Sequence, residues 1–172
     1  LKAGFPSERI YFHGNNKSRR ELEEALEAGI GRIVVDSMSE LKELAELSRE
    51  YRQKTPILIR VKPGIEAHTH DYIRTGQDDS KFGFGLADAF DATNFALDNG
   101  SFLELRGFHC HIGSQIFQLE PFRLAAGVMI KFMSDIRDKT GFIAPELDIG
   151  GGLGIRYRRD DRPPSIEAFV EC

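Results

Sequence analysis

Five times in 172 residues a short apolar run gives way to an amphipathic stretch of helical spacing, and nothing else constrains the fold as strongly. Arg9-Ile10-Tyr11-Phe12 ends in a polar turn, His13-Gly14-Asn15-Asn16. Ser18 then N-caps a helix through Ala28, with Glu21 as its capping-box partner and Gly29 as its stop. Arg32 to Asp36 is apolar without alternation, as a strand covered on both faces would be. Ser37 and Glu40 repeat the capping box, and Leu41, Leu44, Ala45 and Leu47 form the apolar stripe of the next helix. Ile57 to Val61 is the third strand, Leu86 to Asn99 a helix with Ala89, Phe90, Thr93 and Leu97 at helical spacing, and the run from Leu103 the fourth strand. Glu120 to Lys139 is a helix, Glu146 to Ile149 the fifth strand, and Ser165 opens one more helix. Strands that alternate with helices across short connections are parallel, with the helices packed outside. The expected fold class is α/β. A doubly wound sheet and a (β/α)8 barrel both fit the alternation. A partial TIM barrel of about five parallel strands with outer helices is preferred, because polar residues collect at the end of nearly every strand.

The remaining totals exclude more than they assign. Lys plus Arg number 23 against 27 Asp plus Glu, a net charge of −4, which gives no basis for nucleic acid or an anionic membrane as partner. Two cysteines, Cys110 and Cys172, make no disulfide framework, so a reducing compartment is expected. No apolar run reaches the ~20 residues of a membrane span. The chain starts without Met, at a stretch (Leu1 to Gly4) that reads as a glycine-capped helix end, and stops inside a helix; the expectation is the middle of a longer protein.

The chemistry gathers at two strand ends. Gly107-Phe108-His109-Cys110-His111-Ile112-Gly113-Ser114-Gln115 closes the fourth strand. Regular alternation puts Leu103, Leu105, Gly107, His109 and His111 on one face and Glu104, Arg106, Phe108 and Cys110 on the other. Two imidazoles thus reach the carboxyl end of a strand, the edge where parallel α/β proteins bind ligands. Asp148-Ile149-Gly150-Gly151-Gly152-Leu153-Gly154 follows the fifth strand, and glycines there let backbone N–H groups crowd an anion such as a phosphate. A βα turn without ligand is the competing reading. His109-x-His111 also has metal-ligand spacing, with Asp148 and His13 as further candidate donors. His68-x-His70 lies in the long polar segment from Ile65 to Gly85 and reads as a solvated or lid pair. Cys110, opposite the histidines, reads as a buried inert thiol. Lys62, just past a strand end, is a weak nucleophile candidate beside Pro63.

Several stretches carry a resemblance: Phe12-His13-Gly14-Asn15-Asn16-Lys17-Ser18, Val35-Asp36-Ser37, Arg60 to His70, Ser80-Lys81-Phe82-Gly83, His109 to Gln115 and Asp148 to Gly154. With these the chain resembles, nearly end to end, the barrel of the diaminopimelate decarboxylase family. That family is a branch of the alanine-racemase-like (fold-type III) pyridoxal-phosphate decarboxylases. The shorter elements, His-x-Gly-Ser and Gly-Gly-Gly, are shared with ornithine and arginine decarboxylases. Ile65 to His70 and Gly113-Ser114-Gln115-Ile116 point to the diaminopimelate branch.

The resemblance implies a pyridoxal 5'-phosphate site without metal. His111 would stack on the pyridine ring and Ser114 would hydrogen-bond the cofactor. Gly150, Gly151 and Gly152 would present backbone to the phosphate, with His13 and Asn15 lining the ring pocket. It implies that residues 1–172 are a fragment of a cofactor-binding barrel domain, the C-terminal β domain being absent. No catalytic residue falls in the fragment, because the Schiff-base lysine lies before Leu1 and the acidic partner of the pyridinium nitrogen after Cys172. The full-length enzyme would convert meso-2,6-diaminopimelate to L-lysine, as a cytoplasmic homodimer (plastidic in a plant) taking a small amino-acid substrate. Two other readings stay open: a related amino-acid decarboxylase or non-catalytic relative, and a metal-dependent barrel hydrolase using His109, His111 and Asp148.

Overall fold

The computed structural model describes residues 3–65 and 82–172. The His68 and His70 pair, with Ser80 and Lys81, lies outside the described residues. Five strands, β1 (Tyr11–Phe12), β2 (Arg32–Val35), β3 (Thr55–Arg60), β4 (Leu103–His109) and β5 (Glu146–Asp148), form one sheet in the order β1-β2-β3-β4-β5. Every neighbouring pair is parallel. A doubly wound sheet reverses its direction of growth; this one adds each strand beside the last, as a barrel does.

Curvature follows from one acid. Arg32 on β2 donates from Nε to Glu146 Oε2 on β5 at 2.9 Å, and its Nη2 donates to Oε1. Two strands lie between them, so a flat sheet would hold these residues roughly 14 Å apart. Arg106 Nε also donates to Glu146 Oε1, at 3.0 Å, and the Tyr11 hydroxyl of β1 donates to Oε2 at 3.5 Å. The sheet is therefore a curled half-barrel with Glu146 drawing four strands inward. Its carboxyl is held below the usual carboxylate range, chiefly by the Arg32 hydrogen bonds.

Helices α1 (Arg19–Glu27), α2 (Met38–Glu50), α3 (Leu86–Asp98), α4 (Glu120–Thr140) and α5 (Ile166–Glu171) follow the strands. Ser18 and Glu21 make the expected capping box, and Gly29 takes φ +64° just past the helix. At α2 only half of the second box forms: Ser37 accepts from Glu40 N, but the Glu40 carboxylate turns to the buried Lys17, at 2.8 Å. The Lys17 ammonium needs that partner, since its hydrogen bonds go to the neutral Gly14 and Val34 carbonyls, at 2.6 and 2.8 Å. In α3 the inner stripe is the small residues Ala89, Ala92, Thr93 and Ala96, while Phe90 and Leu97 pack only partly buried at its margin. β1 is shorter than expected, because Ser7–Arg9 is a 3₁₀ turn.

The expected face assignment of β4 fails at one residue. Ile57 pairs with Leu105 but Leu58 pairs with Gly107, so Arg106 is an extra residue, a β-bulge. Leu103, Leu105, Phe108 and Cys110 therefore all belong to the core between sheet and helices, and Phe108 meets Phe132 of α4 edge-on at 5.0 Å. His109 takes the concave side, against His13. Gly107 permits this: a Cβ there would stand 1.9 Å from the Glu146 carbonyl oxygen, so any side chain would push β5 away.

Two glycines separate this claim from general glycine effects. Gly107→Ala is expected to lower the urea midpoint by the equivalent of more than about 2 kcal/mol through loss of the β4–β5 approach. Gly127→Ala, mid-helix with nothing within 4 Å of the added methyl, is expected to stabilise by about 0.5–1 kcal/mol. Equal effects of the two changes would contradict the close approach.

Candidate functional site

Four of the five strands supply one residue each to the carboxyl-end rim. His13 follows β1, Arg60 ends β3, His109 ends β4 and Asp148 ends β5. With His111, Gly150 and Gly151 they line a pocket of about 380 Å³, within the range of small-ligand sites. The expected edge is thus real: His13, His111 and Gly150 share it. Lys62 does not line the pocket; its backbone N–H donates to Phe84 O at 2.8 Å.

Three imidazoles meet here. The His13 and His109 rings pack edge-on at 4.8 Å. Burial pushes the His109 pKa down to about 4, and it lowers those of His13 and His111 in the same direction. Arg60 adds to the effect on all three, against the pull of Asp148. At all three the neutral imidazole is favoured. Arg60 is held by Asp36, Nη1 to Oδ1 at 3.2 Å, while Asp36 Oδ2 accepts from Gly83 N at 3.1 Å. Asp148 Oδ1 accepts from Gly150 N at 2.7 Å and so sets the start of the glycine loop. Cys110 faces away, fully buried, its thiol pushed up to about 12 by burial, as an inert thiol requires.

The glycine loop is shaped by contact as well as by freedom. Gly150 takes φ +72°, and a Cβ there would lie 2.6 Å from Cys110 O and 2.9 Å from His111 Nδ1. At Gly152 it would lie 2.0 Å from Gly113 O. Gly151 meets nothing within 4 Å, and among the described residues the N–H groups of Gly151 and Gly152 have no hydrogen-bond partner.

Not every residue implied by the resemblance reaches the pocket. Gly152, next in sequence to the lining residue Gly151, packs against Gly113 and His111 without lining the pocket itself, and Ser114 and Asn15 are exposed residues outside its lining. Arg60 enters instead, together with Asp148, which the sequence offered as a metal donor. Arg60 had a readable signal, a lone charge at the end of the apolar run Ile57-Leu58-Ile59. Metal-capable atoms also converge, but from His13, His109 and Asp148, within 4.8 Å of one another, rather than from His109, His111 and Asp148.

The buried neutral His109 makes stability depend on pH. An unfolded histidine titrates near 6.5, so on acidification the unfolded chain takes up the proton first. Stability is full above about pH 6.5, falls on the way down to about 4 and levels off below. The expected loss from this group is on the order of 2–3 kcal/mol. Urea titrations at pH 7.5 and 4.5 should show it in the wild type and show less in His109→Asn; identical losses in both would contradict the assignment.

Comparison with known proteins places this geometry. The family model described as pyridoxal-dependent decarboxylase, pyridoxal binding domain, matches residues 1–172. The chain is 50% identical over 174 residues to the diaminopimelate decarboxylase of Bacillus subtilis, covering 99% of this chain and 39% of that protein. It is 51% identical to that of Bacillus methanolicus, again over 99% of this chain and 40% of the relative. The chain thus spans about two fifths of the length of these curated relatives. Among solved structures, diaminopimelate decarboxylase from Helicobacter pylori complexed with L-lysine superposes with a TM-score of 0.86 at 35% identity, over 99% of this chain and 42% of that one. Curled parallel sheet, strand-end pocket and a match over its whole length agree: the chain belongs to the pyridoxal-binding domain family of the pyridoxal-dependent decarboxylases.

Proposed function

We propose that the full-length protein decarboxylates meso-2,6-diaminopimelate to L-lysine, with this segment holding pyridoxal 5'-phosphate in the pocket between His13, His111 and Gly150. The observation that carries the reading is the pocket itself, in a chain half identical to curated diaminopimelate decarboxylases. The residues present fit the cofactor. Gly151 offers open space and an unpartnered N–H where a phosphate would sit, and Arg60 adds a nearby cation. The half-buried neutral imidazole of His111 gives an aromatic ring a face to pack on. Bound there, pyridoxal phosphate supplies the electron sink for loss of the α-carboxylate.

The chain's own residues bind and orient. His111 would fix the tilt of the cofactor ring, the Gly150 to Gly152 backbone its phosphate, and the edge-on rings of His13 and His109 an aromatic wall beside them. Ser114 and Asn15 contribute in this reading only through parts of the site outside the described pocket. A small amino acid as substrate, a homodimer and a cytoplasmic location are parts of the same proposal. Among the described residues no helix is long and apolar enough to cross a membrane.

One observation favours a second reading, a metal-dependent enzyme: the converging donors of His13, His109 and Asp148. The two readings part in one assay. The full-length protein, freed of cofactor, is given meso-diaminopimelate with and without pyridoxal phosphate and with and without a chelator. Lysine formation should require the cofactor and ignore the chelator. His111→Ala should weaken cofactor binding several-fold, the worth of about 1 kcal/mol of ring packing, and slow turnover further through lost orientation. Activity that needs a metal and ignores pyridoxal phosphate would sink the proposal.

A further inference from the structure

Gln115 stands out as one of two described non-glycine residues with positive φ, at +59°. Its side chain shows what holds it there. Gln115 Nε2 donates to Ile155 O at 2.7 Å, and Ile155 N donates to Gln115 Oε1 at 3.0 Å. Next to it the backbones pair: Ile116 N donates to Gly152 O and Gly154 N to Ile116 O, both at 2.8 Å, an isolated parallel bridge between Ile116 and Leu153. A primary amide carries one donor edge and one acceptor, as a peptide does. Gln115 therefore extends the two-residue bridge by one rung with its side chain, and it needs the left-handed backbone to aim that side chain at Ile155.

This rung completes the anchoring of the far end of the glycine loop, which the Ile116 bonds to Gly152 and Gly154 begin. The near end is fixed by Asp148 Oδ1 accepting from Gly150 N at 2.7 Å. Between the two anchors lie Gly151 and Gly152, whose N–H groups are unpartnered among the described residues. With only the Ile116 bridge to hold it, a stretch with glycines at 150, 151, 152 and 154 would sample more conformations, and donors that must first be ordered bind an anion less well.

We propose that Gln115 is a positioning residue for the phosphate-binding loop: its amide clamp on Ile155 preorganises the Gly151 and Gly152 donors for a phosphate monoester. The inference rests on the reading that this pocket holds pyridoxal phosphate, and it adds a residue that itself touches no ligand. It makes a selective demand. Loss of the clamp weakens recognition of the phosphate and leaves the ring's subsite as it was.

The test uses full-length protein stripped of cofactor, with dissociation constants measured for pyridoxal phosphate and for pyridoxal, which lacks the phosphate. Gln115→Gly removes the clamp and relieves the positive φ, so the fold does not suffer. Gln115→Glu keeps the acceptor for Ile155 N but sets an oxygen against the Ile155 carbonyl. In both variants the preference for pyridoxal phosphate over pyridoxal should fall about tenfold, the scale of losing a pair of hydrogen bonds, while pyridoxal itself binds within about twofold of wild type. Variants that keep the wild-type preference, or that lose both compounds equally, overturn the inference. A wild type that binds neither compound overturns the cofactor reading and this inference together, so the two failures are distinguishable.

Discussion

The extra residue in β4 decides what this molecule can do. Until Leu105 the strand keeps its apolar side chains on the helices; Arg106 then occupies a place that has no partner on β3. From Gly107 onwards the parity is reset, so that Phe108 and Cys110 rejoin the core and His109 turns to the concave side. Without that reset, a strand that buried Leu103 and Leu105 would bury both histidines among helix side chains, where two unpaired imidazoles carry a heavy desolvation cost. The bulge needs room, and Gly107 gives it by letting β5 approach to where a Cβ would clash at 1.9 Å.

Two layers of inward-facing polar groups follow from this arrangement. The lower one is the Glu146 cluster with Arg32, Arg106 and Tyr11, which pulls β1, β2, β4 and β5 into a curve. The upper one, two residues further along the strands, holds His13, Arg60, His109 and Asp148. Because all five strands run the same way, their carboxyl ends share one rim, and curvature brings those ends within reach of each other. The lower layer is charged and paired; in the upper layer burial and Arg60 disfavour protonation of the histidines. Paired charges thus lie below, and three histidine rings with Arg60 and Asp148 lie above.

Much of this was legible in the sequence, for reasons that are local. Caps such as Ser18 with Glu21, and strands such as Ile33-Val34-Val35, obey rules that span a handful of residues. The edge carrying His13, His111 and Gly150 followed from parallel alternation alone. What stayed hidden depends on contacts between distant parts. The bulge at Arg106 appears only when β4 is laid against β3, so the face assignment of Leu103 and Leu105 went wrong. Glu40 caps like its counterpart Glu21 in sequence, yet a buried Lys17 claims its carboxylate. Arg60 is marked only as a lone charge ending an apolar run and Asp148 only as a possible metal donor, and neither mark shows that the two share a pocket; Ser114 and Asn15, implied by resemblance, stand outside the pocket that forms. The family could be read from motifs; the geometry that makes the motifs useful could not.

The proposed chemistry requires the concave face of β4 to meet a cofactor. A crystal structure of the full-length protein with pyridoxal phosphate measures this most directly. The expected result is the pyridine ring against His111 and the phosphate against the Gly150 to Gly152 backbone, with Phe108 and Cys110 still packed on the helix side. A cofactor bound elsewhere, or a β4 without its bulge that turns Phe108 towards the ligand, would contradict it.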